Sequence, residues 1–248
     1  MYLSKILGTV LILLSILFLG LQSQALEIEA SGVKTLAMIL LIVFYVMRVK
    51  KKHILFLMFL VFFTIAEFFN YITWVINFDF SEEIDYFYYV GNILYILSYT
   101  FLIARILVSI NMSKAVTKFP IQSLSLLVLG IFVVYLVTDT TREELTSSQY
   151  TLEFTYNAVI MILMSLSLLY YMAKDDKKSM NLLIGSICIL FSEILQLAYF
   201  YVAEDFNVLN LLCSLFIVMA FLFYYLQSRL HHKEVVSFIP QNQQNLEV

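Results

Sequence analysis

The chain has 248 residues, 62% of them hydrophobic and only 13% charged, with a formal net charge of −3 and a mean hydropathy of +0.89. This composition lies outside the range of soluble domains and excludes a soluble enzyme carrying a single anchor. The absence of a basic patch interleaved with aromatics also excludes a nucleic-acid partner.

Eight apolar runs follow one another along the chain, at 6–21, 34–47, 53–76, 86–108, 121–138, 154–172, 180–201 and 208–226. A bilayer core takes about 20 residues of α-helix, and continuous Leu-rich runs lack the alternation of membrane barrel strands. The expected fold is therefore all-α, a polytopic integral membrane protein whose residues 1–230 form eight transmembrane helices. The first run ends at Ser23-Gln24-Ala25, a small-x-small pattern that also fits a signal peptide and would leave seven spans if cleaved. The second run, which opens at Lys34, is the shortest.

The third run carries Glu67 at its centre with Asn70 and Tyr71 beyond it, and the fourth offers Asn92, Tyr95 and Tyr99. The fifth is almost wholly apolar. The sixth opens with Tyr156 and Asn157, the seventh carries Ser192, Glu193 and Gln196, and the eighth is again apolar. After Leu230 the chain turns polar, with Pro240 in a QNQQN-containing stretch, so 231–248 reads as a disordered tail.

Lys and Arg in short loops set membrane orientation, with the basic side cytoplasmic. Counting alternate connections, one side holds Lys5, Arg48, Lys50, Lys51, Lys52, Arg105, Lys114, Lys118, Lys174, Lys177, Lys178, Arg229 and Lys233, and the other only Lys34 and Arg142. That second side collects acids instead, among them Glu27, Glu29, Glu82, Glu83, Glu143, Glu144 and Glu153. Both termini are thus expected in the cytoplasm, and the chain is expected as a multi-pass protein of the cell (inner) membrane.

Cys188 and Cys213 both fall inside spans, and His53, His231 and His232 lie at a helix end or in the tail. No disulfide, zinc motif or catalytic triad is built from them, and no phosphate-binding or dinucleotide fingerprint is present. Neither a cofactor nor a metal is expected.

The informative residues are Glu67 and Glu193. Intramembrane carboxylates are costly and mark functional sites. Their surroundings match: FTIAEFFN and ILFSEILQ each place a carboxamide, Asn70 or Gln196, three positions after the acid, where a helix brings it to the same face. At 1.5 Å per residue both acids lie about 20 Å from the cytoplasmic ends of helices running in the same direction. They are expected to share one cavity lined by Asn70, Tyr71, Asn92, Tyr95, Tyr99, Tyr156, Asn157, Ser192 and Gln196.

The segments GVKTLAM, FTIAEFF, YVGNILYILSY, FTYNAVIMILM, SICILFSEILQLAYF and LFYYLQ together resemble the YhhN-type lysoplasmalogenase family over about residues 34–227. That resemblance implies eight spans and cleavage of the vinyl ether bond of a lysolipid substrate taken from the bilayer. Two acidic motifs form the family's active site, and their positions read here Ala66-Glu67 and Ser192-Glu193. Each family aspartate is replaced by glutamate, the glycine by Ala66, the proline after the early lysine by Thr35, and a fourth-span histidine aligns with Tyr99. The resemblance makes Glu67 and Glu193 the catalytic pair. Lys34, which matches the family's early lysine, is a phosphate-binding candidate, and so is Arg105.

Two other readings stay open at this level. The glutamate pair suits a proton- or cation-coupled transporter, although few helix breakers interrupt the spans, or it is the remnant of an inactive lipid-binding relative. Topology has its own test: cysteines placed at Ser81 and Ser179 are expected to react with an impermeant thiol reagent from opposite faces of the membrane, and labelling of both from one face overturns the alternation.

Overall fold

The computed structural model describes residues 2–76, 86–203 and 206–230; the connection at 77–85, which carries Ser81, and the tail from 231 lie outside them. The described residues are helical with no strand: α1 (Tyr2–Ser23), α2 (Glu27–Arg48), α3 (Ile54–Val75), α4 (Tyr86–Ser109), the short α5 (Met112–Lys118), α6 (Pro120–Asp139), α7 (Ser147–Lys174), α8 (Lys177–Tyr201) and α9 (Asn207–Arg229). All but α5 are long and apolar enough to cross a membrane.

Local chemistry sets several of the ends. Pro120 occupies the first turn of α6, where its missing N–H costs nothing. Thr146 and Gln149 form a capping box on α7, the Gln149 side chain accepting from the Thr146 N–H at 3.1 Å, and Asp176 caps α8 by accepting from Ser179 N–H at 2.8 Å. Asp175 at φ 46° turns the chain between α7 and α8 in the left-handed conformation common at helix C-termini. Ser179 is buried in that cap, so exposed Lys177 next to it is the better labelling position for that end.

Two helices begin earlier than their apolar runs. α2 starts at Glu27, so Lys34 lies two turns inside it, and α7 starts at Ser147, which brings Glu153 into the helix. Glu27 is half-buried and Glu153 buried, and a hydropathy reading assigns both to the loops.

Seven helices close into a ring in the order α1, α2, α3, α4, α7, α8, α9 and back to α1, while α6 packs outside it against α7. α6 accordingly exposes Ile121, Leu124, Leu127, Val128, Ile131 and Phe132, a face suited to lipid rather than water. Hydroxyls tie the ring together: Ser98 donates to the Phe59 carbonyl at 3.0 Å, Thr35 to the Glu67 carbonyl at 3.3 Å, and Ser192 to the Cys213 carbonyl at 3.0 Å. Such contacts are the usual glue of membrane helices.

An aromatic layer fills the ring towards its basic end. Phe56, Phe59, Phe63, Tyr99 and Tyr224 are almost wholly buried, and Phe221 with them. Phe59 stacks on Phe221 at 5.7 Å between centroids, Phe63 meets Phe221 at 4.6 Å, and Tyr224 stands edge-on to Phe59 at 5.4 Å.

The closest approach is between α8 and α9, where a Cβ on Gly185 would lie 2.6 Å from two carbons of the buried Tyr224 ring. Gly185→Ala is therefore expected to overpack this contact and lower stability by about 1–3 kcal/mol. Gly20→Ala, with nothing within 4 Å of its Cβ, is expected to be neutral or mildly stabilising; thermal unfolding of the two purified variants in detergent checks the difference.

Candidate functional site

Above the aromatic layer the ring encloses a cavity of about 480 Å³. Apart from Phe63 near the middle of α3, the residues lining it belong to the halves of the helices nearest one end of the bundle: the C-terminal halves of α1, α3 and α8 and the N-terminal halves of α2, α4, α7 and α9. This is the end carrying the acidic connections. Its walls mix phenylalanines and tyrosines with four carboxylates, Glu67 and Glu193 at depth and Glu27 and Glu153 nearer the helix ends.

Each carboxylate has its own donors. Lys34 Nζ on α2 lies 2.7 Å from Glu67 Oε1 on α3, with Glu67 only 1% exposed. The Tyr95 hydroxyl approaches the same carboxyl without reaching hydrogen-bond geometry, and Glu67 Oε2 has no hydrogen-bond partner among the described residues. Glu193 Oε1 accepts from the Tyr99 hydroxyl at 2.8 Å, with Tyr156 close beside it. Glu153 accepts from Tyr88 and from Asn157 Nδ2, both at 3.2 Å. Glu27 accepts from Tyr199 at 2.9 Å and from Asn210 Nδ2 at 3.1 Å. Lys34 is the one cation lining the cavity among the described residues.

Glu67 and Glu193 thus share one cavity, together with Lys34, Asn70, Asn92, Tyr95, Tyr156, Ser192 and Gln196. Tyr99 meets it from below through Glu193. Two residues expected in the lining are not there. Tyr71 turns towards α2 and packs against Gly32, whose Cβ position lies 3.1 Å from its ring; Asn157 points from α7 to α6 and donates to Thr138 Oγ1 at 3.1 Å. The expected pairing of each acid with the carboxamide three residues on is also not formed. Asn70 and Gln196 are exposed, while an ammonium and a phenol from neighbouring helices occupy the acids.

Arg105 lies at the other end of the bundle, outside the cavity lining, donating to Gln227 Oε1 at 2.8 Å. It is therefore not a phosphate ligand for this cavity. Glu27 and Glu153 were missed because they precede the apolar runs. The TSSQ sequence at 146–149, a capping-box pattern, was the available sign that α7 begins before Glu153.

The chain matches no protein-family model, no curated protein and no solved structure.

Removing half of a buried ion pair leaves the other charge uncompensated and costs about 3–5 kcal/mol. Lys34 keeps 26% exposure, so Lys34→Met is expected at the low end, about 3 kcal/mol. The added Glu67→Gln change is expected to recover part of that loss; a double-mutant cycle on thermal stability reads the coupling, and additive losses contradict the pair.

Proposed function

We propose that this chain is an intramembrane hydrolase that cleaves the vinyl ether bond of a lysoplasmalogen-like lysolipid. The observation that carries the reading is the placement of Glu67 and Glu193 in one cavity with unlike partners, an ammonium for the first and phenols for the second. Two carboxyls in different environments divide acid and base roles. The segments that resemble YhhN-type lysoplasmalogenases support the same reaction, Glu67 and Glu193 standing where that resemblance puts the acid pair.

In this scheme Glu193 is the general acid and gives its proton to the vinyl carbon remote from the ether oxygen. The adjacent carbon becomes an oxocarbenium ion, stabilised by the Glu67 carboxylate. Water adds to that carbon while Glu67 takes its proton, giving a hemiacetal. Glu67 then returns a proton to the ether oxygen as the C–O bond breaks, and Glu193 takes the hemiacetal hydroxyl proton. The products are a fatty aldehyde and the glycerophospho-head group, and both carboxyls are restored. Tyr99 and Tyr156 orient Glu193; Lys34 holds Glu67 in place.

Phe59, Phe63, Phe221 and Tyr224 occupy the ring below the site, which rules out a continuously open channel in this conformation.

Glu67→Gln and Glu193→Gln are each expected to reduce aldehyde release from a vinyl ether lysolipid by about 10²–10⁴-fold, with the double variant little worse than the worse single. Losses below about tenfold in both variants would argue against a catalytic pair. A wild-type protein that releases no aldehyde but carries a proton- or cation-dependent flux in liposomes, removed by the same substitutions, would replace hydrolysis with transport.

A further inference from the structure

At the opposite end of the bundle from the cavity, a second polar cluster is buried in the ring. Arg105 on α4 is 7% exposed, stacks its guanidinium 4.9 Å above the Phe56 ring and gives Nη2 to Gln227 on α9. Its Nη1 has no hydrogen-bond partner, and the phenols of Tyr45, Tyr170 and Tyr224 act on it together with Lys178 and His53. Among the described residues no carboxylate forms an ion pair with it.

The neighbours are also short of acceptors. Gln227 is 1% exposed and its Nε2 has no partner; His53 Nδ1, at the start of α3, is buried with none. Lys178, in the first turn of α8, lies close enough to act on both Arg105 and His53. Burial, with these two cations beside it, lowers the His53 imidazole below its ordinary value. Asp176 caps the start of α8 through Ser179.

Buried polar groups are normally satisfied, and a site where several are not points to a missing ion or water. A buried guanidinium with no counter-charge is strongly unfavourable. The unmet groups here are nitrogens, two of them fixed N–H donors, from three helices. Arg is the residue best suited to phosphate oxygens, and basic pockets between membrane helices on the positively charged side bind phosphorylated head groups. A carboxylate, with two oxygens, engages fewer of these donors than a tetrahedral phosphate.

We propose that Arg105, Gln227, His53 and Lys178 form a phosphate-binding site at the basic end of the bundle, separate from the carboxylate cavity. Its ligand is a phosphate group, carried by a lipid head group or free in solution. The inference does not depend on the hydrolase reading, and its test involves no turnover.

Full-length protein purified in detergent is unfolded thermally in inorganic phosphate, in acetate and in chloride at equal ionic strength, and in micelles doped with phosphatidic acid or with phosphatidylcholine. A rise in Tm with inorganic phosphate assigns a soluble ligand, and a rise confined to phosphatidic acid assigns a lipid head group. Either rise is expected to vanish in Arg105→Gln. Because that change sits in the core, half-buried Lys178→Gln serves as the second variant; its response to phosphate, read against its own Tm in chloride, is expected to weaken about tenfold, as for loss of one charge-assisted hydrogen bond. No response to either phosphate source, an equal response to acetate, or an undiminished response in both variants overturns the site and leaves buried water as the partner of these donors.

Discussion

The ion pair between Lys34 and Glu67 is the interaction on which the rest of this architecture depends. A carboxylate at 1% exposure in a membrane bundle is sustained only where an opposite charge or several donors meet it. The ammonium comes from α2 and the carboxylate from α3, so the pair fixes the depth and rotation of two adjacent helices at once. Thr35, next to Lys34, donates to the backbone carbonyl of Glu67, and the two bonds hold α2 against α3 at one level. From that level the cavity extends to Glu193, Tyr99 and Tyr156, which belong to α8, α4 and α7.

A ring of seven helices around a polar cavity raises the opposite problem of keeping the bundle from becoming a pore. The aromatic layer solves it with side chains that bury large areas and interlock edge to face. Phe59, Phe63 and Phe221 occupy the axis of the ring, and the polar clusters on either side of them are separate: carboxylates towards one end, Arg105 with Gln227 towards the other. The charge separation follows the loops. Acidic connections flank the carboxylate cavity, and basic ones flank Arg105. The helix ends therefore share the sign of charge of the buried cluster nearest them.

Much of this was readable from the chain. Eight helices follow from eight apolar runs, and the meeting of Glu67 and Glu193 in one cavity follows from their equal depth in helices of equal direction. The starts of α2 and α7 were hidden for a physical reason: residues such as Glu27 and Glu153 that line a polar cavity have the polarity of a loop. Partner choice was hidden as well. Spacing along one helix placed Asn70 beside Glu67 and Gln196 beside Glu193, but which donor meets a carboxyl is decided by neighbouring helices, and Lys34 and Tyr99 reach the acids first. Arg105 looked like a flank of its helix, and only the packing of α4 against its neighbours buries it.

Glu67 and Glu193 share one cavity, rich in carboxylates and lined mostly by the helix halves nearest the end that carries the acidic connections. Cys213 lines it while Cys188 is buried elsewhere, so the native cysteines report on it without substitution. The decisive measurement is the rate of Cys213 modification by small cationic and anionic methanethiosulfonates, applied to each face of oriented proteoliposomes. Modification is expected at Cys213 and not at Cys188, only from the face that carries the 140–146 connection, and faster with the cationic reagent. Modification of Cys213 from the opposite face, or a faster reaction with the anionic reagent, would contradict it.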